Sequence, residues 1–148
     1  MVSVIMPTYN RAIYIGRAIK SVLNQKYTDW ELIIIDDNPQ ESNARTDTEK
    51  VVKSFDDIRI RYIKNDKNLG GAATRNVGIF ASKGEYITFL DDDDMYLPSK
   101  LEVQVKSMIE NQFEVTLEDM KETLKVADGC GLAAPQVGVN KNVVIVDG

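Results

Sequence analysis

The sequence predicts an α/β fold built on a doubly wound, mostly parallel sheet. Four short segments rich in β-branched residues are predicted as buried strands, and stretches with helical spacing of apolar residues separate them. A helix between consecutive strands is typical of right-handed βαβ units, which place neighbouring strands parallel. Polar clusters follow three of the strands, at the edge of the sheet where such folds bind ligands. We therefore expect one ligand site at this edge.

The strand predictions depend on short runs of Val, Ile, Leu and aromatic residues that are bounded by loop formers. The first run is expected to end at Pro7, and the second ends in the polar sequence Asp-Asp-Asn-Pro. The third alternates along its length, and the fourth leads directly into four consecutive aspartates. The predicted strands are residues 2–6, 32–35, 58–64 and 85–90.

Apolar residues that recur three and four positions apart predict the helices. Asn10 is a candidate cap for the first helix, and we expect the second to be a surface helix. The predicted helices are roughly residues 13–25, 44–55, 72–82 and 98–111. A further amphipathic helix at 114–127, a Gly-rich turn and a strand at 143–146 are expected to complete the sheet. Residues 1–111 and 112–148 thus form two regions that we expect to pack into one domain.

Composition excludes several classes of partner. The chain has 148 residues and a formal net charge of −5, without the run of Lys and Arg that a nucleic-acid binder needs. No apolar run reaches the roughly 20 residues that cross a bilayer, so no transmembrane segment is expected. The start of the chain lacks a basic signal region, and one cysteine excludes an internal disulfide. These features favour a cytoplasmic location.

The absence of histidine limits the chemistry further. It excludes His-dependent catalytic triads and HExxH zinc sites, so any metal must be held by oxygen ligands, as Mg²⁺ or Mn²⁺ is. Four adjacent carboxylates, residues 91–94, repel one another unless a cation or hydrogen-bond donors offset the repulsion. A divalent ion that bridges one or two of them to a diphosphate would do so. The alternative is a solvated acidic loop or a helix N-terminus.

Four segments carry a family resemblance. In order they are VSVIMPTYNR, ELIIIDDNP, NLGGAATRNVGI and GEYITFLDDDDMYLP. Together they resemble the nucleotide-binding half of the family 2 glycosyltransferases over about residues 2–110. The resemblance implies a Rossmann-like GT-A fold that binds a nucleoside-diphosphate sugar, specifically a UDP-sugar, with Mn²⁺ or Mg²⁺. It implies transfer of the sugar to an acceptor hydroxyl that this sequence does not identify.

The same resemblance implies roles for individual residues. Asp37 and the loop after the first strand would hold the nucleotide base, the loop residues being Pro7, Thr8, Tyr9 and Asn10. The Asp37 carboxylate would accept the imide N–H of uracil, and Arg75 would meet the base or the diphosphate. The alternatives are simple packing for Tyr9, a turn for Asp37 and an exposed helix charge for Arg75.

The acidic run takes the place of the DxD motif of that family. Asp93 would ligate the metal, and Asp91 or Asp92 would hold the ribose hydroxyls. The general base and most acceptor contacts of the family follow the helix after this motif, where this chain departs from the pattern. We therefore expect weak activity or none as a transferase.

Residues 116–148 resemble a different family. They are similar to the N-terminal part of peptide deformylases, whose first motif GxGLAAPQ matches residues 129–136. The matched residues include Gly131, Leu132 and Gln136, and in the family that these residues resemble the counterpart of Gln136 stabilises an oxyanion. The metal of that family needs a later cysteine and two histidines, so deformylase activity is not expected.

The sequence is therefore interpreted as a chimera, natural or engineered, of two family fragments. Binding of a nucleoside-diphosphate sugar is the leading hypothesis, and an inactive chimeric or structural protein is the alternative. A formyl hydrolase of deformylase type is a third class. Apolar surface left on an incomplete domain would also allow self-association into a homo-oligomer.

Overall fold

A computed structural model describes residues 1–110 of the chain. The predicted helix at 114–127, the strand at 143–146 and the deformylase-like residues Gly131, Leu132 and Gln136 lie outside the described residues. No helix among residues 1–110 is long and apolar enough to span a bilayer.

The described part of the chain forms a four-stranded parallel sheet in the order β3-β2-β1-β4. The prediction of a parallel α/β sheet is confirmed. The strands are β1 (Val2–Thr8), β2 (Trp30–Asp36), β3 (Ile60–Lys64) and β4 (Tyr86–Phe89), and the helices are α1 (Ala12–Leu23), α2 (Asn43–Lys53), α3 (Gly71–Ala81) and α4 (Lys100–Glu110). The chain adds β2 and β3 on one side of β1 and then returns to its other side for β4. The order therefore reverses between β1 and β4, at the point where open α/β sheets bind ligands.

Both faces of the sheet are buried, because successive side chains along a strand point to opposite sides. Val4 and Met6 belong to the core on the side of α1, whereas Ile5 belongs to the core on the side of α3. Ile33 and Ile35 alternate with Leu32 and Ile34 in the same way along β2, and all four are fully buried. This explains why the central strands are continuous apolar runs in the sequence.

The predicted end of the first strand at Pro7 is wrong, since β1 continues through Thr8. The carbonyl of Ile5 accepts a hydrogen bond from the Leu90 amide, so Ile5 directs its backbone groups towards β4. Pro7, two residues further, directs its backbone to the same side, but pairing with β4 ends at Ile5 and Phe89. The missing N–H of Pro7 therefore removes no ladder hydrogen bond.

Two other local predictions are also wrong. The third strand begins at Ile60 rather than residue 58, because Asp57 accepts a hydrogen bond from the amide of Arg59 and forms a turn there. Asn10 does not cap α1; the cap position is Arg11, and it has no side-chain cap. The second helix lies at the surface as expected, and its inner face carries the buried residues Arg45, Thr48 and Val52.

Helix α3 lies very close to the sheet at Gly78. A Cβ atom there would lie 2.4 Å from Cγ2 of Ile5 and 2.9 Å from Cδ1 of Ile35, both fully buried. These distances are shorter than any normal contact, so only glycine allows the helix to approach β1 and β2 this closely. The N-terminus of the same helix lies at the carboxyl ends of β1 and β4.

We predict that Gly78→Ala lowers the free energy of unfolding by roughly 1–3 kcal/mol, the usual cost of overpacking a core. Gly16→Ala is the matched control, because Gly16 also lies inside a helix but its Cβ would meet only Val51 Cγ1, at 3.3 Å. The control is expected to be neutral or to stabilise through helix propensity. Urea unfolding measures both, and equal effects of the two substitutions would contradict the close approach at Gly78.

A buried carboxylate, Glu31, holds the opposite end of the sheet together. It accepts hydrogen bonds from Ser3 Oγ at 2.7 Å, from the Lys83 amide at 2.7 Å and from Arg61 Nη1 at 3.0 Å. Burial raises the pKa of Glu31, but these hydrogen bonds and the charge of Arg61 outweigh it, so the pKa lies below its ordinary value of 4.5. The ionised form is therefore the one that the folded protein stabilises.

We predict that stability falls as the pH drops below the ordinary pKa of glutamate. A carboxyl whose pKa is lower in the folded state contributes stability above its unfolded pKa and loses it as the pH falls through the folded one. Glu31→Gln should remove this part of the pH dependence and lower stability at pH 7. Thermal unfolding between pH 3 and 7 measures it, and parallel pH profiles for the two proteins would contradict the role of Glu31.

Candidate functional site

A cavity of about 490 Å³ opens at the carboxyl ends of β1 and β4, where the strand order reverses. It lies between the loop after β1, the loop after β2, the N-terminus of α3 and the acidic run after β4. Its lining residues are Pro7, Thr8, Tyr9, Arg11, Asp37, Asn68, Gly70, Gly71, Thr74, Arg75, Asp91, Asp92 and Asp93. A cavity thus lies at the edge of the sheet where the sequence predicts a ligand site.

A hydrogen bond between Thr8 and Asp92 joins the end of β1 to the segment after β4 in the lining of the cavity. The Thr8 hydroxyl donates to Asp92 Oδ2 at 2.7 Å, and both residues are at most 5% exposed. Burial raises the pKa of Asp92, while the Thr8 hydrogen bond and the charge of Arg11, 4.0 Å away, act in the opposite direction. The net pKa of Asp92 is above its ordinary value.

Asp37 is a structural acceptor as well as a lining residue. One carboxylate oxygen accepts from Asn65 Nδ2 at 2.7 Å and from the Leu69 amide at 2.9 Å, and the other accepts from the Gly70 amide at 2.9 Å. Gly70 has a φ of 81°, a conformation that favours glycine, and it immediately precedes α3. Asp37 therefore fixes the loop that leads into α3. A carboxylate has about four acceptor positions, so one stays available to a ligand.

Arg45 connects the loops after β2 and β3 next to Asp37. The sequence analysis predicted a surface helix here and did not identify this role of Arg45. The side chain is buried, and its Nη2 donates to the carbonyls of Asp36 at 3.1 Å, of Asn65 at 2.8 Å and of Asn38. Its Nε lies 3.8 Å from Oδ1 of Asp36, which is itself fully buried. The sequence alone does not show whether a polar residue in the first turn of a helix faces the core or the solvent.

Arginines accompany the acidic run. Arg11 forms an ion pair with Asp93, Arg17 donates to the Asp93 carbonyl at 2.8 Å, and Arg75 Nη2 donates to Asp91 Oδ1 at 2.6 Å. Arg75 is a third exposed and lies on α3, whereas Arg11 is half exposed at the start of α1. The repulsion expected among the carboxylates is therefore partly offset by side chains from two helices.

The loop after the acidic run is anchored by Tyr96. Its amide donates to Ser21 Oγ of α1 at 3.0 Å, and its hydroxyl donates to the Phe89 carbonyl at 2.6 Å. Burial raises the pKa of the Tyr96 hydroxyl, which stays protonated as a donor. Residues 91–95 are thus held at both ends.

Most of the site residues predicted from the sequence meet in this cavity: Pro7, Thr8, Tyr9, Asp37, Arg75, Asp91, Asp92 and Asp93. Asn10 is not among the lining residues. It has a φ of 56°, and its amide donates to Asn38 Oδ1 at 2.7 Å, so it shapes the loop. Arg11 and Asn68 line the cavity without having been predicted as site residues, although each belongs to a segment that the sequence singles out.

The carboxylate of Asp93 suits a hard cation whose other ligands are supplied by phosphate and water. Among residues 1–110 no three carboxylates or thiols are grouped to hold a metal on their own. Asp93 is a partly exposed carboxylate on the cavity wall. Mg²⁺ and Mn²⁺ use one or two carboxylates and complete their coordination with phosphate and water, so the residues fit such an ion only together with a phosphorylated ligand.

Comparison with known proteins decides the family. Residues 3–120 match the family described as glycosyl transferase family 2. The chain belongs to glycosyl transferase family 2. The match extends past residue 111, the predicted boundary between the two regions, and none of the comparisons supports a peptide deformylase fragment.

Relatives of known name agree with this membership. The glucosyltransferase WfgD of Escherichia coli, named as acting with UDP-Glc on GlcNAc-diphosphoundecaprenol, is 39% identical over 111 residues, which cover 75% of this chain and 42% of WfgD. The curated relatives are longer than the matched region, and the chain spans 16% to 45% of their length.

Solved structures share the fold and are GT-A-like. Staphylococcus aureus TarS, crystallised with UDP-GlcNAc, has a TM-score of 0.64 and 25% identity over 76% of this chain and 32% of TarS. The mannosyltransferase PcManGT of Pyrobaculum calidifontis, crystallised with GDP-Man and Mn²⁺, has a TM-score of 0.63 and 22% identity over 72% of this chain and 32% of its own. The second likeness shows the fold alone.

We predict that Thr8→Val raises the pKa of Asp92 further. The Thr8 hydroxyl is the main donor that opposes the effect of burial, so its removal leaves the ionised carboxylate less well solvated. Thr88→Val is the matched control, because Thr88 is also buried on a strand but bonds Tyr96. Carboxyl NMR titration measures the pKa, and an unchanged Asp92 titration in Thr8→Val would show that this hydrogen bond does not act on Asp92.

Proposed function

We propose that the chain is the donor-binding part of a glycosyltransferase, which binds a nucleoside-diphosphate sugar, specifically a UDP-sugar, together with Mn²⁺ or Mg²⁺. The observation that carries the proposal is the cavity at the β1 and β4 ends, with its mixture of carboxylates and arginines. The relative WfgD, named for UDP-Glc, and the TarS complex with UDP-GlcNAc support uridine as the base. The sugar and the acceptor are left open.

The charge of the cavity supports the need for a divalent cation. Four aspartates and two arginines line it, a formal excess of two negative charges. A diphosphate brings further negative charge, and like charges at these distances repel one another. Asp93 would hold a divalent cation whose charge would cancel this formal excess, and the diphosphate oxygens would complete the coordination of the cation. Metal and nucleotide should therefore bind together.

Different side chains of the cavity contact different parts of the nucleoside-diphosphate sugar in this proposal. Asp37 uses its remaining acceptor position for the imide of uracil, with Tyr9 and the other residues of the β1 loop beside the base. Arg75 and Arg11, now paired with aspartates, contact the diphosphate through charge-assisted hydrogen bonds. Asp91 or Asp92 accepts from the ribose hydroxyls, and Asp93 ligates the metal.

The reaction in this proposal is glycosyl transfer. The acceptor oxygen forms a bond to the anomeric carbon while the bond from that carbon to the β-phosphate oxygen breaks. The nucleoside diphosphate leaves with the electron pair, and the acceptor proton passes to a general base. The bound cation supplies neutralisation of the negative charge that develops on the leaving diphosphate. Arg75 and Arg11 assist by donating to the same group.

We predict that UDP binds at least about tenfold more tightly with Mn²⁺ than in EDTA, as isothermal titration calorimetry can measure. Asp93→Asn should abolish this difference because the metal loses its carboxylate ligand. In EDTA the same variant should bind UDP more tightly than the unaltered chain, because one repelling charge is gone and Arg11 is released.

Asp94→Asn is the matched control. Asp94 is the next residue, is exposed and does not line the cavity, so the same change of charge should leave the Mn²⁺ dependence intact. Failure of UDP to bind the unaltered chain under either condition would refute the proposed function. A loss of Mn²⁺ dependence in both variants would refute the assignment of the metal to Asp93.

A further inference from the structure

Arg45 occupies a position that helix energetics disfavour. It lies in the first turn of α2, where the helix dipole is positive, and its amide donates to the N-cap side chain of Ser42 at 3.1 Å. It is only 6% exposed, although arginine is rarely buried. A buried cation at this position is removed from water and faces the positive end of the helix dipole, so hydrogen bonds must compensate for both costs.

Its contacts all lie at the carboxyl end of the sheet. The three carbonyls that Nη2 contacts belong to Asp36 and Asn38, on either side of Asp37, and to Asn65, just after β3. The Asn65 side chain in turn donates to Asp37 Oδ1 at 2.7 Å. Arg45 thus fixes the backbone on both sides of Asp37 and also one of the donors to its carboxylate.

The contacts extend to the loop after β1. Asn38, whose carbonyl accepts from Arg45, accepts the Asn10 amide on its side-chain oxygen at 2.7 Å. Asn10 immediately follows Tyr9, which lines the cavity. Three loops therefore meet through one guanidinium group that does not itself line the cavity.

We propose that Arg45 is a positioning residue for nucleotide binding, which sets Asp37 and the β1 loop in the geometry that receives the base. This inference rests on the proposed function for its binding consequence, but the arrangement of Asp37 can be tested without any ligand. Arg45 acts through Asp37 and Asn38 and does not touch the nucleotide.

A second arginine, Arg61, offers a control of similar chemistry, although its side chain is about a third exposed. Arg61 Nη1 donates to Glu31 at 3.0 Å and to the Ala81 carbonyl at 2.7 Å, at the opposite end of the sheet. Each of the two substitutions, Arg61→Gln and Arg45→Gln, removes a guanidinium group that donates to a backbone carbonyl and lies near a buried carboxylate. Both should lower stability, but only Arg45→Gln should alter the site.

The test combines amide hydrogen exchange of the ligand-free chain with UDP–Mn²⁺ titration, at a temperature where each variant is folded. In Arg45→Gln we expect the Leu69 and Gly70 amides, which donate to Asp37, to exchange at least about tenfold faster, and UDP to bind about tenfold more weakly. In Arg61→Gln both quantities should stay within about twofold of the unaltered chain.

Arg45→Lys serves as the conservative variant and replaces Arg45→Gln if that protein does not fold. It keeps the charge with a different donor geometry, so intermediate exchange and affinity are expected. Unchanged exchange at Leu69 and Gly70 in the folded Arg45 variants, or equal effects of the Arg61 substitution, would overturn the positioning role. If the unaltered chain does not bind UDP, the proposed function fails, while the exchange data still decide whether Arg45 sets Asp37.

Discussion

The hydrogen bonds to the Asp37 carboxylate are the constraint on which the site depends. They join the end of β2 to the loop after β3 and to the residue that precedes α3. Because α3 starts there, they also determine where Arg75 meets Asp91. The close packing at Gly78 holds the same helix against the sheet. The Asp37 carboxylate thus positions the start of the helix that carries Arg75. The buried Arg45 in turn holds Asp37 in place through the carbonyls on either side of it.

The fold could be predicted largely from the periodicity of apolar residues. Two-sided burial makes the central strands continuous apolar runs, and helices with one apolar face separate them, so element order and parallel pairing follow. The ends of elements were less predictable. Pro7 stays within β1 because pairing with β4 has already ended, which depends on the relative lengths of two strands distant in sequence. Asn10 is a loop residue because Asn38 takes its amide.

The site was predicted where its residues directly follow strands, since the carboxyl ends of parallel strands meet at one edge. Asp37 and the acidic run were found in this way, and the resemblance to a family supplied Arg75. Arg45 could not be found, because inward and outward polar residues of a helix look alike in one sequence. Its role follows only from three carbonyls brought together by the fold. The ion pair of Arg11 with Asp93 likewise joins residues that are far apart in the chain.

A crystal structure of the chain with UDP and Mn²⁺, with anomalous diffraction to locate the metal, would show where the nucleotide and the ion bind. We expect uracil beside Asp37, the diphosphate between Arg75 and Asp93, and an anomalous peak within coordination distance of an Asp93 oxygen and a phosphate oxygen. UDP bound outside the cavity at the β1 and β4 ends would refute the proposed site. So would a metal ligated by residues other than the acidic run after β4.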